Sequence, residues 1–296
     1  MVLQRYDNAM KLRSAVNGLL QREAINFLLT NRVPRRRLTR FMGWFSKIEH
    51  PLLSRASIAV WRLFSDVDLR DAKQLKFKSL HDCFTRELRE GARQVCEDPS
   101  VLVSPCDAIV GASGRITDGT VLQAKGQSYR LLELLQDADL VNYYAAGWYV
   151  TLRLTAGMYH RFHAPADCRV ERVAYMSGDT WNVNPPALRR VERLFCRNER
   201  AALRCRLAPS GQVITLVPIG AILVASIRLH FLDLRLHLDY DGPQLISCDQ
   251  QLHKGQEMGW FEHGSTIIVF APPGVSLCER WKSGEVIRMG QPLFEL

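Results

Sequence analysis

Val101-Leu-Val-Ser-Pro-Cys-Asp107 is where the chain changes texture, and that change decides the fold. From Pro99 onward the sequence runs in short Val/Ile/Leu stretches broken by Gly, Asp and Pro, the pattern of strands and turns. Ile109-Val110, Tyr149-Val-Thr-Leu-Arg-Leu154 and residues 213–217, 221–227, 229–238 and 266–270 all read as strands. Residues 186–200 mix apolar and charged side chains less regularly and read as a helix or a long loop. Upstream, from Met1 to about Glu90, apolar residues recur three and four positions apart, which predicts helices. The expected class is therefore α+β. A helical region, residues 1–92, precedes a β-rich, barrel- or sandwich-like domain, residues 93–296, with the boundary between Gly91 and Pro99.

The 296 residues, 47% hydrophobic, suffice to bury a sizeable core. A formal charge of +9 favours an anionic partner, either nucleic acid or the acidic face of a membrane. No nucleic-acid-binding motif accompanies the charge, which disfavours the first. The cysteines, at 83, 96, 106, 168, 196, 205, 248 and 278, form no C-x-x-C pair and no zinc-spaced cluster. A reduced compartment without a structural metal is expected. Charged residues from Arg5 to Glu23 interrupt the start, so it lacks the apolar core of a signal peptide. The most apolar internal run, Leu216 to Ile227, is shorter than the roughly 20 residues that cross a bilayer. Internal repeats are absent.

Within the helical part, Arg32-Val-Pro-Arg-Arg-Arg-Leu-Thr-Arg40 runs into Phe41-Met-Gly-Trp-Phe45, then Pro51-Leu-Leu53 and Ile58-Ala-Val-Trp61. Cations alternating with large aromatics suit helices lying in a lipid interface. Trp44, Phe45 and Trp61 would then enter the acyl boundary, with Arg35, Arg36, Arg37 and Arg40 near phosphates. The alternative is a solvated basic face over an ordinary core-packing helix.

Three short motifs hold the residue types that activate a hydroxyl: Ser104-Pro-Cys-Asp107, Tyr159-His-Arg-Phe-His163 and His263-Gly-Ser-Thr266. Each alone is weak, since Asp after Ser-Pro is an ordinary turn and Gly-Ser an ordinary loop. The second is more informative, because two histidines are held close together between a strand and Ala164-Pro165. Metal ligation is a rival reading, but no third ligand sits at a matching spacing.

Taken in order, these motifs resemble those of the phosphatidylserine decarboxylases. The resemblance runs from Phe41-Met-Gly-Trp44 through Phe84-Thr-Arg-Glu-Leu88, Val101 to Asp107 and Tyr159 to His163. It continues in Glu192 to Arg200, Val217-Pro-Ile-Gly-Ala221 and Lys254-Gly-Gln-Glu-Met-Gly-Trp-Phe-Glu-His-Gly-Ser-Thr266. It implies a proenzyme that cuts its own Gly264-Ser265 bond into a β chain, residues 1–264, and an α chain, residues 265–296, which stay associated. Asp107, His163 and Ser265 match the self-processing triad, and His160 matches a second histidine that acts on bound substrate. Ser265 would become a pyruvoyl group, a covalent cofactor that needs no metal. The implied substrate is phosphatidylserine, converted to phosphatidylethanolamine and carbon dioxide through a Schiff base. The implied assembly is a homodimer, peripheral on the cytoplasmic face of the inner membrane.

Two departures stand out: Cys106-Asp107-Ala108 where many relatives have Ala-Asp-Gly, and His263 where many have an aliphatic residue. Competing readings are a pyruvoyl enzyme acting on a soluble amino acid, a carrier module modified at Lys254, and a basic nucleic-acid-binding protein.

Overall fold

The computed structural model describes residues 23–124, 126–208, 210–223, 226–262 and 265–296. His263 and Gly264, and with them half of the expected cleavage site, lie outside the described residues, as does the charged start of the chain.

Among the described residues four helices come first: α1 (Glu23–Asn31), α2 (Arg35–Phe45), α3 (Pro51–Phe64) and α4 (Leu80–Phe84). Helix α3 begins on Pro51, whose missing N–H costs nothing in a first turn, and the His50 ring accepts from Leu53 N. Ser79 caps α4 by accepting from Asp82 N. Strands begin only at β1 (Val101–Val103), followed by β2 (Ala108–Arg115) and the hairpin β3 (Thr120–Ala124) and β4 (Gln127–Arg130). Helices α5 (Leu131–Leu135) and α6 (Ala138–Tyr143) lead into β5 (Trp148–Leu154), β6 (Arg161–His163) and β7 (Cys168–Met176). The expected helix or loop at 186–200 is two short helices, α7 (Pro185–Arg190) and α8 (Leu194–Arg197). Next come β8 (Arg200–Leu207), β9 (Val213–Gly220), β10 (Ser226–Leu229), β11 (Leu234–His237), β12 (Leu245–Leu252) and β13 (Glu257–Phe261). The chain ends with β14 (Ser265–Ala271), β15 (Ser276–Leu277), β16 (Val286–Ile287) and β17 (Pro292–Glu295).

The principal sheet has eight strands in the order β12-β7-β8-β9-β14-β5-β2-β16, and every pairing is antiparallel. Smaller sheets β11-β10-β13-β6 and β1-β17-β15 complete the core. The helices-then-sheet organisation matches the α+β expectation, and the sandwich-or-barrel alternative resolves against a closed barrel. The edge strands β12 and β16 do not pair with each other, and β16 has only two residues with which to do so. The expected strand over 229–238 is broken at His230–Leu232 by a 3-10 turn, because Asp233 takes a left-handed conformation (φ 47°).

At the centre, β9 and β14 are buried along their whole lengths, as their nearly unbroken apolar sequences require. The N-terminal helices dock on this core through polar contacts. Arg35 pairs with Asp179 at 2.5 Å and its guanidinium lies 3.6 Å from the centre of the Trp181 ring. Arg40 pairs with Asp239, Lys47 with the buried Glu262 at 3.1 Å, and the Thr39 hydroxyl accepts from Leu223 N.

Candidate active site

Ser265 opens β14 with its backbone between Leu154 of β5 and Gly220 of β9. Its side chain is fully buried, and its Oγ has no hydrogen-bond partner among the described residues. A buried hydroxyl left unpaired costs about 1–3 kcal/mol, so such an atom marks a position held for something other than stability. It lies in the wall of an apolar cavity of about 770 Å³, lined also by Met42 and Phe45 of α2 and Leu53, Val60 and Trp61 of α3. The docking of the helices therefore makes the cavity. Two of the aromatics expected at a lipid interface, Phe45 and Trp61, line this space, whereas Trp44 is 64% exposed.

The histidine motif is positioned by residues whose roles the sequence did not disclose. Arg86, buried in Phe84-Thr-Arg-Glu-Leu88, donates to the carbonyls of Gly157 at 3.0 Å and Met158 at 3.2 Å. Arg161 donates to Thr85 O at 2.9 Å and pairs with Glu257 at 2.8 Å. Phe84 stacks on the His160 ring at 4.0 Å and on Trp61 at 5.5 Å, and it also lines the cavity. One motif thus fixes the turn, its neighbouring strand and the aromatic path from the cavity to His160.

Tautomers follow from partners. The Nδ1 of fully buried His160 lies 2.8 Å from the Met158 carbonyl, which can only accept, so Nδ1 carries the proton and Nε2 is the basic nitrogen of the neutral ring. His163 is arranged alike: Nδ1 donates to Gly255 O at 2.9 Å, and Nε2 accepts from the Tyr159 hydroxyl at 3.0 Å. Burial lowers the His163 imidazole to about 4, against a smaller raising effect of the Gly255 carbonyl. It is neutral at pH 7. Gly255 can aim its carbonyl this way because it sits at φ +80°, where a side chain would be strained and would press on Val95 at 2.9 Å.

Asp107 is held elsewhere. Its carboxylate accepts from Arg93 at both oxygens and from Met289 N at 2.9 Å, while Arg93 also binds Asp71 at 2.9 Å. The Ser104 hydroxyl closes the preceding turn on Cys106 O at 2.8 Å. Backbone geometry brings Asp107 to His163's neighbourhood, since His163 N donates to Pro105 O at 2.8 Å. No hydrogen bond joins the two side chains. Asp107 acts on the imidazole through its charge alone, which favours the protonated ring. The cysteine next to it, Cys106, is buried and its thiol is pushed well up by that burial, so it stays protonated and inert.

Of the cations expected near lipid phosphates, Arg36, Arg37 and Arg40 are exposed, and Arg35 is largely enclosed by its Asp179 pair. Leu28 of α1, Phe41 and Trp44 of α2, and Leu52 and Val60 of α3 are exposed apolar side chains, Leu52 being 71% exposed. No helix among the described residues is long and apolar enough to cross a membrane. No group of three or more potential metal ligands occurs among them either.

The family profile for phosphatidylserine decarboxylase matches residues 80–295. Among similar proteins, the phosphatidylserine decarboxylase proenzyme of Aliivibrio salmonicida is 34% identical over 276 residues, covering 88% of this chain and 93% of the relative. The proenzyme of Acinetobacter baumannii is 35% identical over 266 residues, and that of Haemophilus influenzae 32% over 274. Each of these covers 88% of this chain and 92% of the relative.

Proposed function

The chain belongs to the phosphatidylserine decarboxylase family, a family of decarboxylases, and on that premise we propose that it cuts itself at Gly264-Ser265 and then decarboxylates phosphatidylserine. The observation that carries this reading is the orphaned Ser265 hydroxyl in the wall of an apolar cavity large enough for acyl chains.

In the first stage His163 Nε2 exchanges its Tyr159 partner for the Ser265 hydroxyl and takes its proton. The oxygen adds to the Gly264 carbonyl, the C–N bond breaks, and the proton goes to the freed nitrogen, leaving an ester. Asp107 stabilises the imidazolium by its charge, and Arg93 holds Asp107. Loss of the residue-265 α-proton expels the Gly264 carboxylate and leaves a dehydroalanine. Tautomerisation, addition of water and departure of ammonia convert residue 265 to a pyruvoyl group. The residues fit that group, since position 265 is buried, polar and unpaired at the cavity wall.

The pyruvoyl group supplies the electron sink for the carbon–carbon bond that breaks. The chain's own contribution is to seat the acyl chains between α2, α3 and the sheet, to exclude water, and to return a proton. His160 is suited to that return: Met158 holds Nδ1, so a transferable proton travels on Nε2. The exposed Leu28, Phe41, Trp44, Leu52 and Val60, flanked by Arg32, Arg36 and Arg37, support peripheral binding to the cytoplasmic face of an anionic membrane.

Denaturing mass spectrometry of active protein tests this. Two fragments are expected, the smaller beginning at residue 265 and blocked to Edman degradation, with Ser265→Ala remaining a single chain. An active single chain of 33.8 kDa overturns the reading.

A further inference from the structure

Beside Ser265 lies a cation without a counter-ion among the described residues. Arg153, in β5, stands opposite Thr266 of β14, the second residue after the proposed scissile bond. It makes no hydrogen bond and no ion pair among the described residues, and burial alone lowers its pKa. The other arginine lining the second cavity, Arg189, is committed to Glu23.

Arg153 also occupies a particular place. It lines the large apolar cavity together with Ser265, and it lines a second cavity of about 440 Å³ whose walls include Thr151 and Thr266. Strand alternation puts Thr151 and Arg153 on one face of β5, and the ladder sets Ile268 opposite Thr151 and Thr266 opposite Arg153. The Oγ1 atoms of Thr151 and Thr266 are both buried without a hydrogen-bond partner. One guanidinium and two hydroxyls, none with a hydrogen-bond partner among the described residues, thus line the second cavity together, and Arg153 lines the first as well. Leaving the two buried hydroxyls unpaired is costly, and an anion with several acceptor oxygens, attracted by the half-buried Arg153 charge, removes the cost.

We propose that Arg153, with Thr151 and Thr266, forms the site that holds the phosphate of the phosphodiester substrate. The inference rests on the decarboxylase reading above and assigns the headgroup contact within it. In the substrate the reacting amine and the phosphorus are only four bonds apart, and Arg153, which lines the cavity of Ser265 as well as that of Thr266, spans the two faces to which Ser265 and Thr266 alternate. The carboxylate is the other anion of the headgroup, and it is the poorer occupant. Its charge vanishes as carbon dioxide leaves, so a guanidinium paired with it would stabilise the ground state more than the transition state. The phosphate keeps its charge throughout, and Arg153 then contributes binding without opposing the chemistry.

The test uses processed enzyme, wild type and Arg153→Met, with dihexanoyl phosphatidylserine and a phosphate-free O-hexyl serine as substrates. Two fragments by mass and carbon dioxide release from phosphatidylserine by wild type establish the parent reading; their absence sinks that reading and not this site in particular. For Arg153→Met, KM for phosphatidylserine is expected to rise about 10- to 100-fold with kcat little changed, as for loss of a charge-assisted hydrogen bond. The ratio of kcat/KM on phosphatidylserine to that on O-hexyl serine should fall by the same factor. Arg153→Lys should recover part of it. Thr151→Val, nearly the same shape, should raise KM by a smaller factor, which keeps the test open if Arg153→Met fails to mature. Inorganic phosphate and glycerol 3-phosphate should compete in wild type and lose potency in Arg153→Met. An unchanged KM overturns the assignment. Equal losses on both substrates overturn it in favour of the carboxylate. Competition by inorganic phosphate with no effect of Arg153→Met on KM for lipid overturns it in favour of a free-anion site.

Discussion

His163 Nδ1 and the Gly255 carbonyl lie 2.9 Å apart, and that one contact decides which imidazole nitrogen can serve as a base. A carbonyl cannot donate, so the neutral ring carries its proton on Nδ1 and presents Nε2 to Tyr159. In the proposed self-cleavage, the orienting role that an aspartate plays in a hydrolase triad falls to a glycine carbonyl.

The pH dependence of self-cleavage follows. With His163 held at about 4, the base is already free at pH 6, so the rate measured on folded, freshly synthesised proenzyme should be level upward from there. Below about pH 4 it should fall roughly tenfold per unit. The same depression from 6.5 means that the unfolded chain takes up a proton first, so stability also declines as pH drops from 6.5 toward 4. Gly255→Ala should cost about 1–3 kcal/mol through backbone strain and slow cleavage at every pH. A rate midpoint near 6.5 would remove His163 as the base.

Arg93 and Asp107 form a buried pair, each side chain 10% exposed. Arg93→Ala strands a carboxylate and should lower stability by about 3–5 kcal/mol in urea unfolding of the uncleaved Ser265→Ala protein. Asp107→Asn keeps the shape and should cost less while slowing processing in an otherwise wild-type chain. A loss under 1 kcal/mol for Arg93→Ala would mean that water, not Arg93, holds Asp107.

The helical face separates into two kinds of residue, which flotation with anionic vesicles can tell apart. Ser at both Trp44 and Leu52 should weaken binding at least tenfold at all salt concentrations, since burial of a large apolar side chain is worth about 1.5–3 kcal/mol and is unscreened. Gln at Arg32 and Arg37 should weaken it at low salt only. Arg35→Ala should lower thermal stability and leave the salt dependence alone, because its charge is committed to Asp179. Unchanged flotation of the Trp44/Leu52 variant would assign that face to another contact.

What was legible in the sequence follows from burial. Residues 213–217 and 266–270 read as strands, within the observed Val213–Gly220 and Ser265–Ala271, because both faces are enclosed, leaving apolar runs that need no partner to recognise. Arg200–Leu207 did not, since arginines at 200, 204 and 206 break the pattern. Arg200 is tolerated at the centre only because the carbonyls of Leu134, Glu133 and Cys196 receive its guanidinium. Leu245–Leu252 alternates as an edge strand does, but Ser247, Asp249, Gln250 and Gln251 give it the polarity of a loop. At the site, the serine, the histidines and the aspartate stood out as residue types in ordered motifs. Arg153, Arg86 and Arg93 did not, because an arginine's role depends on which oxygens surround it, and tertiary contacts alone supply those.

Ser265 begins a strand that is hydrogen-bonded on both sides to strands preceding it in the chain, β5 and β9, and β16 and β17 pair in the same way with β2 and β1. A break in the backbone at this point therefore divides the sequence but not the sheets. In a chain cut as proposed, the peptide link would serve once, while these strands find their places, and the ladders to β5 and β9 would hold β14 afterwards. A cut protein that loses its structure would face a bimolecular search that the newborn chain never faced, with a residue 265 that can no longer be made anew. Its working lifetime is then set by how slowly it opens, not by how readily it folds, and each molecule has a single opportunity to be assembled.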